Sequence, residues 1–140
     1  MNPQSIPPTS LRLCIDRFDE DDMAGKIIGV ALESEIPFTS VRSFVASVDK
    51  AYDTIGQPQA GQISRTFGKQ AVKPTPYVAV PRRYHEPGAI KSAAGSLKTF
   101  DLIMQTRHHA EWQGVLKDPE GRQIGSFKSV LECIQLMTDH

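Results

Sequence analysis

The chain carries the same succession of apolar and polar positions twice. In the first occurrence, residues 11–15 alternate apolar and polar side chains with the period of two that is typical of a half-buried strand. Residues 23–30 and 36–38 predict two further strands, and Pro37, which has no N–H to donate, predicts that the third lies at a sheet edge or forms a bulge. Ser40 is placed to cap a helix. A helical stripe of apolar residues follows it: Val41, Phe44, Val45, Val48 and Tyr52.

The second occurrence has the same order. Residues 99–104, 111–116 and 123–127 predict three strands. The turn at 118–121 has a local cause, because Pro119 presets φ and Gly121 permits a positive φ. Ser129 then caps a helix with Val130, Cys133, Ile134 and Met137 on one face.

A shift of 89 positions places residues 11–48 on residues 100–137 without a gap. A repeat of this length is one supersecondary unit used twice. A unit of roughly 40 residues rarely holds a core alone. The sequence therefore predicts an α+β fold of two tandem β-β-β-α repeats, residues 11–55 and 99–140, related by pseudo-two-fold symmetry. Their antiparallel sheets and helices are predicted to share one core.

Residues 56–98 separate the repeats, and these 43 residues hold five Gly and five Pro without sustained periodicity. This composition predicts a mobile linker. A short strand at 77–80 is left open within it. We expect residues 1–10, before the first strand, to be disordered.

The net charge is zero, which excludes a global field that would select nucleic acid or an anionic membrane. The charge is unevenly placed, because residues 56–98 carry seven basic side chains and one acidic side chain. Basic residues interleaved with Phe67, Tyr77 and Tyr84 are typical of single-stranded nucleic-acid binding, with Arg82 and Arg83 as candidate contacts. The alternative is neutralisation of the linker by the acidic repeats on either side.

The start of the chain has no secretory signal pattern, and no apolar run approaches the ~20 residues of a membrane span. Cys14 and Cys133 occupy positions that are not equivalent in the two repeats, whereas a shared disulfide or metal framework would recur with the unit. We expect both to be buried free thiols, in a cytoplasmic protein with no membrane partner.

Candidate chemistry is sparse. His108, His109 and Glu111 resemble a fragment of a metal site, but adjacent side chains on a strand point to opposite faces. The acidic residues 16–22 lack the spacing of a calcium loop. No phosphate-binding loop or nucleophile elbow occurs, and an apolar setting raises the pKa of a thiol. We therefore expect no catalytic residue, metal, cofactor or small-molecule ligand.

Three apolar residues remain as candidate binding positions. Trp112 is interpreted either as a core side chain packed over Gly114 or as a recognition platform on an open sheet face. Leu131 and Leu136 flank the stripe of the second predicted helix, where the first repeat has polar residues. Something extra should cover them, which could be the linker residues Val78, Val80 and Ile90 or a second chain in a two-fold dimer.

The second repeat resembles small uncharacterised proteins of Firmicutes, especially clostridia. The resemblance rests on the pattern R-x-x-A-x-W-Q-G at 107–114 and F-x-S-x-L-E-x-I-x-L at 127–136. The first half is similar to the front of the same family over residues 11–16, 25–26, 37–38 and 55–60. His109 departs from the usual asparagine. The resemblance implies the architecture and no catalytic residue.

Three classes of function follow. The first is a non-enzymatic interaction module that binds protein or self-associates. The second is a nucleic-acid-binding regulator that uses the basic residues 65–98. The third is an enzyme whose site the sequence does not reveal. Salt dependence separates the first two, because binding through phosphates weakens steeply with salt.

Overall fold

The computed structural model describes residues 7–19, 22–56, 81–107 and 111–140. Within these ranges the strands and helices follow one another along the chain as β1 (Ser10–Phe18), β2 (Met23–Ile28), β3 (Ile36–Phe38), α1 (Val41–Ile55), α2 (Pro87–Lys91), β4 (Lys98–Thr106), β5 (Gln113–Lys117), β6 (Gln123–Phe127) and α3 (Val130–Asp139). The fold class is α+β, as predicted.

The strands form one antiparallel sheet of six strands in the order β3-β2-β1-β4-β5-β6. β1 and β4 are the central pair, and Leu11 lies opposite Leu102 while Leu13 lies opposite Phe100. β3 lies at one edge with Pro37 at its centre, which confirms the edge position predicted for that strand.

The hydrophobic core lies between the sheet and the helices α1 and α3. Leu11, Leu13 and Ile15 of β1 alternate into it, as their period of two predicts. α1 contributes Phe44, Val48, Ala51, Tyr52 and Ile55, and α3 contributes Cys133 and Met137 to the same cluster. Each fully buried large apolar side chain contributes about 1.5–3 kcal/mol. The two halves of the chain therefore stabilise one shared core.

Both long helices begin at the predicted caps. The Ser40 hydroxyl accepts a hydrogen bond from the Ser43 N–H, and the Ser43 hydroxyl accepts one from the Ser40 N–H. The Ser129 hydroxyl accepts from the Glu132 N–H in the same way. α1 ends at Gly56, whose φ of 87° is in the left-handed region that glycine adopts without strain. Both helices therefore begin at the serine that the sequence predicted as the cap.

Two glycines lie against a backbone carbonyl of the neighbouring strand, next to a shift in strand register. The register of β1 shifts between Ile15 and Arg17 opposite β2, and that of β4 shifts between Met104 and Thr106 opposite β5. A Cβ atom at Gly25 would collide with the carbonyl oxygen of Cys14, and one at Gly114 would collide with that of Ile103. Only glycine permits the strand pairing at these two bulges.

Gly25→Ala and Gly114→Ala are each expected to destabilise the protein by about 1–3 kcal/mol, because backbone must shift to admit the methyl group. Gly88→Ala is the matched control, since its Cβ would meet nothing within 4 Å. Urea unfolding measures all three. Equal midpoints for Gly25→Ala and the wild type would show that the strand pairing does not require glycine there.

Several predicted boundaries differ from the structure. β2 ends at Ile28 rather than at residue 30, and β5 begins at Gln113 rather than at residue 111. β1 begins at Ser10, one residue before the predicted start of the first strand. The strand left open at 77–80 lies outside the described residues.

Residues 81–97, which we call the strap, lie within the segment 56–98 that was predicted to be a mobile linker, whose last residue, Lys98, is already part of β4. The strap contains α2, and its Ile90 packs against Val30 and Ile28. At one end Tyr84 N–H donates to Val30 O (2.7 Å), and at the other the Ser96 N–H and hydroxyl donate to the Asp16 carboxylate. These Ser96 bonds hold the pKa of Asp16 below its usual range. These contacts are made by single, widely spaced residues, so they produce no periodic pattern from which the sequence could predict them.

Candidate interaction surfaces

Trp112 lies in the core. Its side chain is fully buried, and its ring meets the edge of the Phe44 ring at a centroid distance of 6.2 Å. The indole N–H has no hydrogen-bond partner among the described residues, although it is near enough to Asp49 to lower that carboxyl's pKa. A recognition platform requires an exposed ring, so that alternative is not supported. The space at Gly114 is filled by Phe127 and the Ile103 carbonyl.

A buried arginine, which the sequence analysis did not single out, ties β4 to α1. Arg107 is 2% exposed at its side chain and donates to the Asp49 carboxylate (3.2 Å) and the Asp53 carboxylate (2.9 Å). Asp49 and Asp53 are four residues apart, so they lie on one face of α1. Burial raises the pKa of Asp49, and the Arg107 hydrogen bond opposes that rise. The arginine is thus engaged within the fold rather than presented to a ligand.

A second buried arginine lies at the centre of the sheet. Arg12 is 3% exposed and pairs with its cross-strand neighbour Asp101 through two hydrogen bonds of 2.7 and 3.0 Å. Its remaining terminal nitrogen donates to the carbonyls of Lys91 and Ala93, both at 3.0 Å. Arg12 alternates with core-facing residues of β1, so it points to the other face of the sheet. It therefore fastens the strap to that face.

The thiols are buried and free, as their apolar patterns predicted. Burial raises the pKa of Cys14, and it raises that of Cys133 to about 12, so neither thiol is primed as a nucleophile. No group of three His, Cys, Asp or Glu side chains within the described ranges could hold a metal ion. His108 and His109 lie outside these ranges.

A groove of about 380 Å³ lies beside the end of α3. Its titratable side chains are Lys98, Asp118 and His140, and the Lys98 ammonium already donates to the Met137 carbonyl (2.7 Å). Asp118 accepts from the backbone of its own turn at Glu120 and Arg122, which lowers its pKa. Lys98 and Asp118 are therefore occupied in structural hydrogen bonds.

The two leucines that flank the stripe of α3 differ in environment. Leu136 is half-buried and packs against the core, where its Cδ2 lies 2.9 Å from the position that a Cβ on Gly125 would take. Leu136 thus fills the space that this glycine leaves, so part of its side chain is covered within the chain itself. Leu131 is 74% exposed, more than any other large apolar side chain that the structure describes.

The two edges of the sheet are unequal. β3 has three residues with Pro37 between the other two, and the Ser47 hydroxyl donates to the Pro37 carbonyl (3.3 Å). β6 has five residues and no proline. Proline and short length protect an edge strand from pairing with another chain, so β6 is the less protected edge.

Arg82 and Arg83 lie on the surface at the start of the strap, as exposed side chains. The guanidinium carbon of Arg82 lies 5.1 Å from the centre of the Tyr84 ring, and Tyr84 is 41% exposed. The two arginines predicted to contact nucleic acid therefore lie in the same exposed segment as an aromatic side chain. Of the other basic side chains in residues 65–98, those of Arg65, Lys69 and Lys73 fall outside the described ranges, and the Lys98 ammonium donates to the Met137 carbonyl.

Among the described helices, none is long and apolar enough to cross a membrane. Comparison with family models, with curated proteins and with solved structures gives no match to this chain.

Proposed function

We propose that the protein is a non-enzymatic interaction module that self-associates through the surface of α3 around Leu131. The exposure of Leu131 carries this proposal. A leucine that is 74% exposed leaves most of its apolar side chain in water, where burial would stabilise an assembly. Single exposed leucines are common, so the argument also depends on what surrounds this one.

Two observations support a second copy of this chain as the partner that covers Leu131. The equivalent of Leu131 in the first half is Arg42, which is also exposed, so the internal arrangement of the chain does not require a leucine there. Ile90, which could have covered Leu131, is 5% exposed and packs instead against Val30 and Ile28. Ile90 therefore packs against other residues and does not cover Leu131, which favours a second copy of the chain as the cover.

The unequal edges support a closed assembly rather than a fibre. Heterologous contacts that join one edge to the other can continue indefinitely, whereas a contact that uses the same surface twice closes at two copies. Pro37 hinders pairing at β3, while β6 and α3 are adjacent in the chain and in space. A two-fold dimer built on the β6–α3 side is consistent with both features.

The same proposal includes the internal symmetry of the chain. Arg12 and Asp101 are equivalent under the shift of 89 positions and also lie directly opposite each other in the central strand pair. The register shifts after Ile15 and Met104, and the close approaches at Gly25 and Gly114, are separated by the same interval. We propose a pseudo-two-fold axis between Arg12 and Asp101 that relates two copies of one unit.

Leu131→Arg tests the self-association. We expect the wild-type chain to sediment as a dimer at micromolar concentration and Leu131→Arg to sediment as a monomer, because a charge at the contact must be desolvated. Leu97→Arg is the matched control, since Leu97 is 53% exposed and belongs to the strap rather than to α3. It should leave the dimer unchanged. A wild-type monomer that Leu131→Arg does not alter would refute the proposal.

We also propose that the protein is cytoplasmic and that it is related to the clostridial family. A pull-down from native cytosol, with and without nuclease, distinguishes protein partners from partners held through nucleic acid. Loss of a captured partner with nuclease would favour the nucleic-acid-binding alternative over protein association.

A further inference from the structure

We propose that the start of the strap, Arg82–His85, is a binding surface for single-stranded nucleic acid, distinct from the α3 surface. All four side chains are exposed. The Arg82 guanidinium lies over the Tyr84 ring at 5.1 Å, so a cation and an aromatic surface are presented together. Single strands are held by this pairing of base-stacking rings with groups that contact phosphates.

The surface is anchored to the sheet rather than carried on a free loop. Tyr84 N–H and His85 N–H both donate to the Val30 carbonyl, at 2.7 and 3.4 Å, and Pro81 before them is buried. Ile90 fixes the following turn against Ile28 and Val30. Because the backbone beneath the ring is already ordered, binding a base there costs less conformational entropy than ordering a flexible segment.

The charge of the sequence segment that contains this surface favours a polyanion. Residues 56–98 carry seven basic side chains and one acidic side chain, whereas residues 1–55 carry five basic and nine acidic. Glu86 is the acidic side chain of the basic segment and directly follows His85, which limits the contact to the residues before it. Residues 1–55 have a net charge of −4 and residues 99–140 one of −2, so the rest of the chain repels a polyanion and the contact should involve few phosphates.

A single strand fits better than a duplex. The patch consists of one ring and the Arg82 and Arg83 side chains, and α2 begins only after it. Within residues 81–97 the one helix is α2, of five residues, and there is no hairpin that could enter a groove, while a ring can stack only on a base that is unpaired. Stacking does not depend on base identity, so we expect little sequence preference.

Fluorescence anisotropy with a labelled twelve-nucleotide oligothymidine and the full chain tests the proposal. We expect binding at low salt, with a log–log salt slope of about −1.4 for two phosphate contacts on a single strand. Tyr84→Ala should weaken binding at least about five-fold, the lower end of the range for one stacked base. Tyr84→Phe should bind like the wild type, because the ring is retained. A duplex of the same length should bind more weakly.

Arg122→Ala is the control for charge alone, since Arg122 is 79% exposed on the turn between β5 and β6. It should change affinity less than two-fold, whereas Arg82→Ala should weaken binding and reduce the salt slope by about 0.7. Thermal unfolding and sedimentation of Tyr84→Ala should match the wild type, which separates this surface from the α3 contact. The proposal is overturned if oligothymidine does not bind at low salt, if Tyr84→Ala binds normally, or if Arg122→Ala is equally impaired.

Discussion

Trp112→Ala is expected to lower the free energy of unfolding by about 3–5 kcal/mol, the range for removing a large aromatic side chain from a core. The indole is fully buried and packs edge-on against Phe44, which in turn meets the edge of the Phe38 ring at 5.2 Å. Removing it opens a cavity at the contact between the second half of the sheet and α1. Urea unfolding followed by circular dichroism measures the loss.

Two variants make this result specific. Trp112→Phe keeps an aromatic ring and removes an indole N–H that has no hydrogen-bond partner in the described structure, so its loss should be clearly smaller than that of alanine. Tyr84→Ala removes an aromatic ring that is 41% exposed and should change stability by less than about 0.5 kcal/mol. Normal stability of Trp112→Ala would contradict the core position of the ring.

Asp101→Ala is expected to destabilise the protein by about 3–5 kcal/mol, the cost of breaking a buried ion pair from one side. Arg12 is 3% exposed, and without Asp101 its charge would keep only the carbonyls of Lys91 and Ala93 as acceptors. The strap is attached through the same guanidinium group. We therefore expect hydrogen exchange in residues 87–97 to increase together with the loss of stability.

Glu35→Ala is the matched control for the ion pair. Glu35 and Lys26 form a pair of 3.4 Å whose side chains are 56% and 41% exposed, and such surface pairs contribute about 0–1 kcal/mol. Its unfolding midpoint should remain close to that of the wild type, with unchanged exchange in the strap. If Asp101→Ala proved as mild as Glu35→Ala, Arg12 would not need its carboxylate partner, and the fastening of the strap would have to depend on Ile90 and Ser96.

Local signals in the sequence predicted the elements well. Ser40 and Ser129 cap helices because their hydroxyls reach an N–H three residues later, and Gly56 and Gly121 permit positive φ values of 87° and 92°. Pro37 predicts an edge because it lacks a donor. Each of these effects acts within a few residues, so it can be identified without knowing the rest of the fold.

The candidate surfaces were only partly predictable. Arg82 and Arg83 were found from their charge, but only the fold places Arg82 over Tyr84 and fixes that loop on Val30. Leu131 and Leu136 have the same side chain and similar positions beside the stripe. The difference comes from Gly125 of β6. Its missing side chain leaves space that Leu136 fills, whereas Leu131 remains 74% exposed.

The sequence by itself determined the two successions of strands and helix, their caps and turns, and the exclusion of recognisable catalytic motifs. The tertiary structure decided that β1 pairs with β4 in a single sheet, that Arg12 meets Asp101, and that Arg107 binds two carboxylates of α1. It also decided that the strap is folded onto the sheet. Periodicity and capping indicate which face or end of an element is polar, whereas these contacts join residues 54 to 93 positions apart. Their partners are selected by shape and charge only once the strands are packed together.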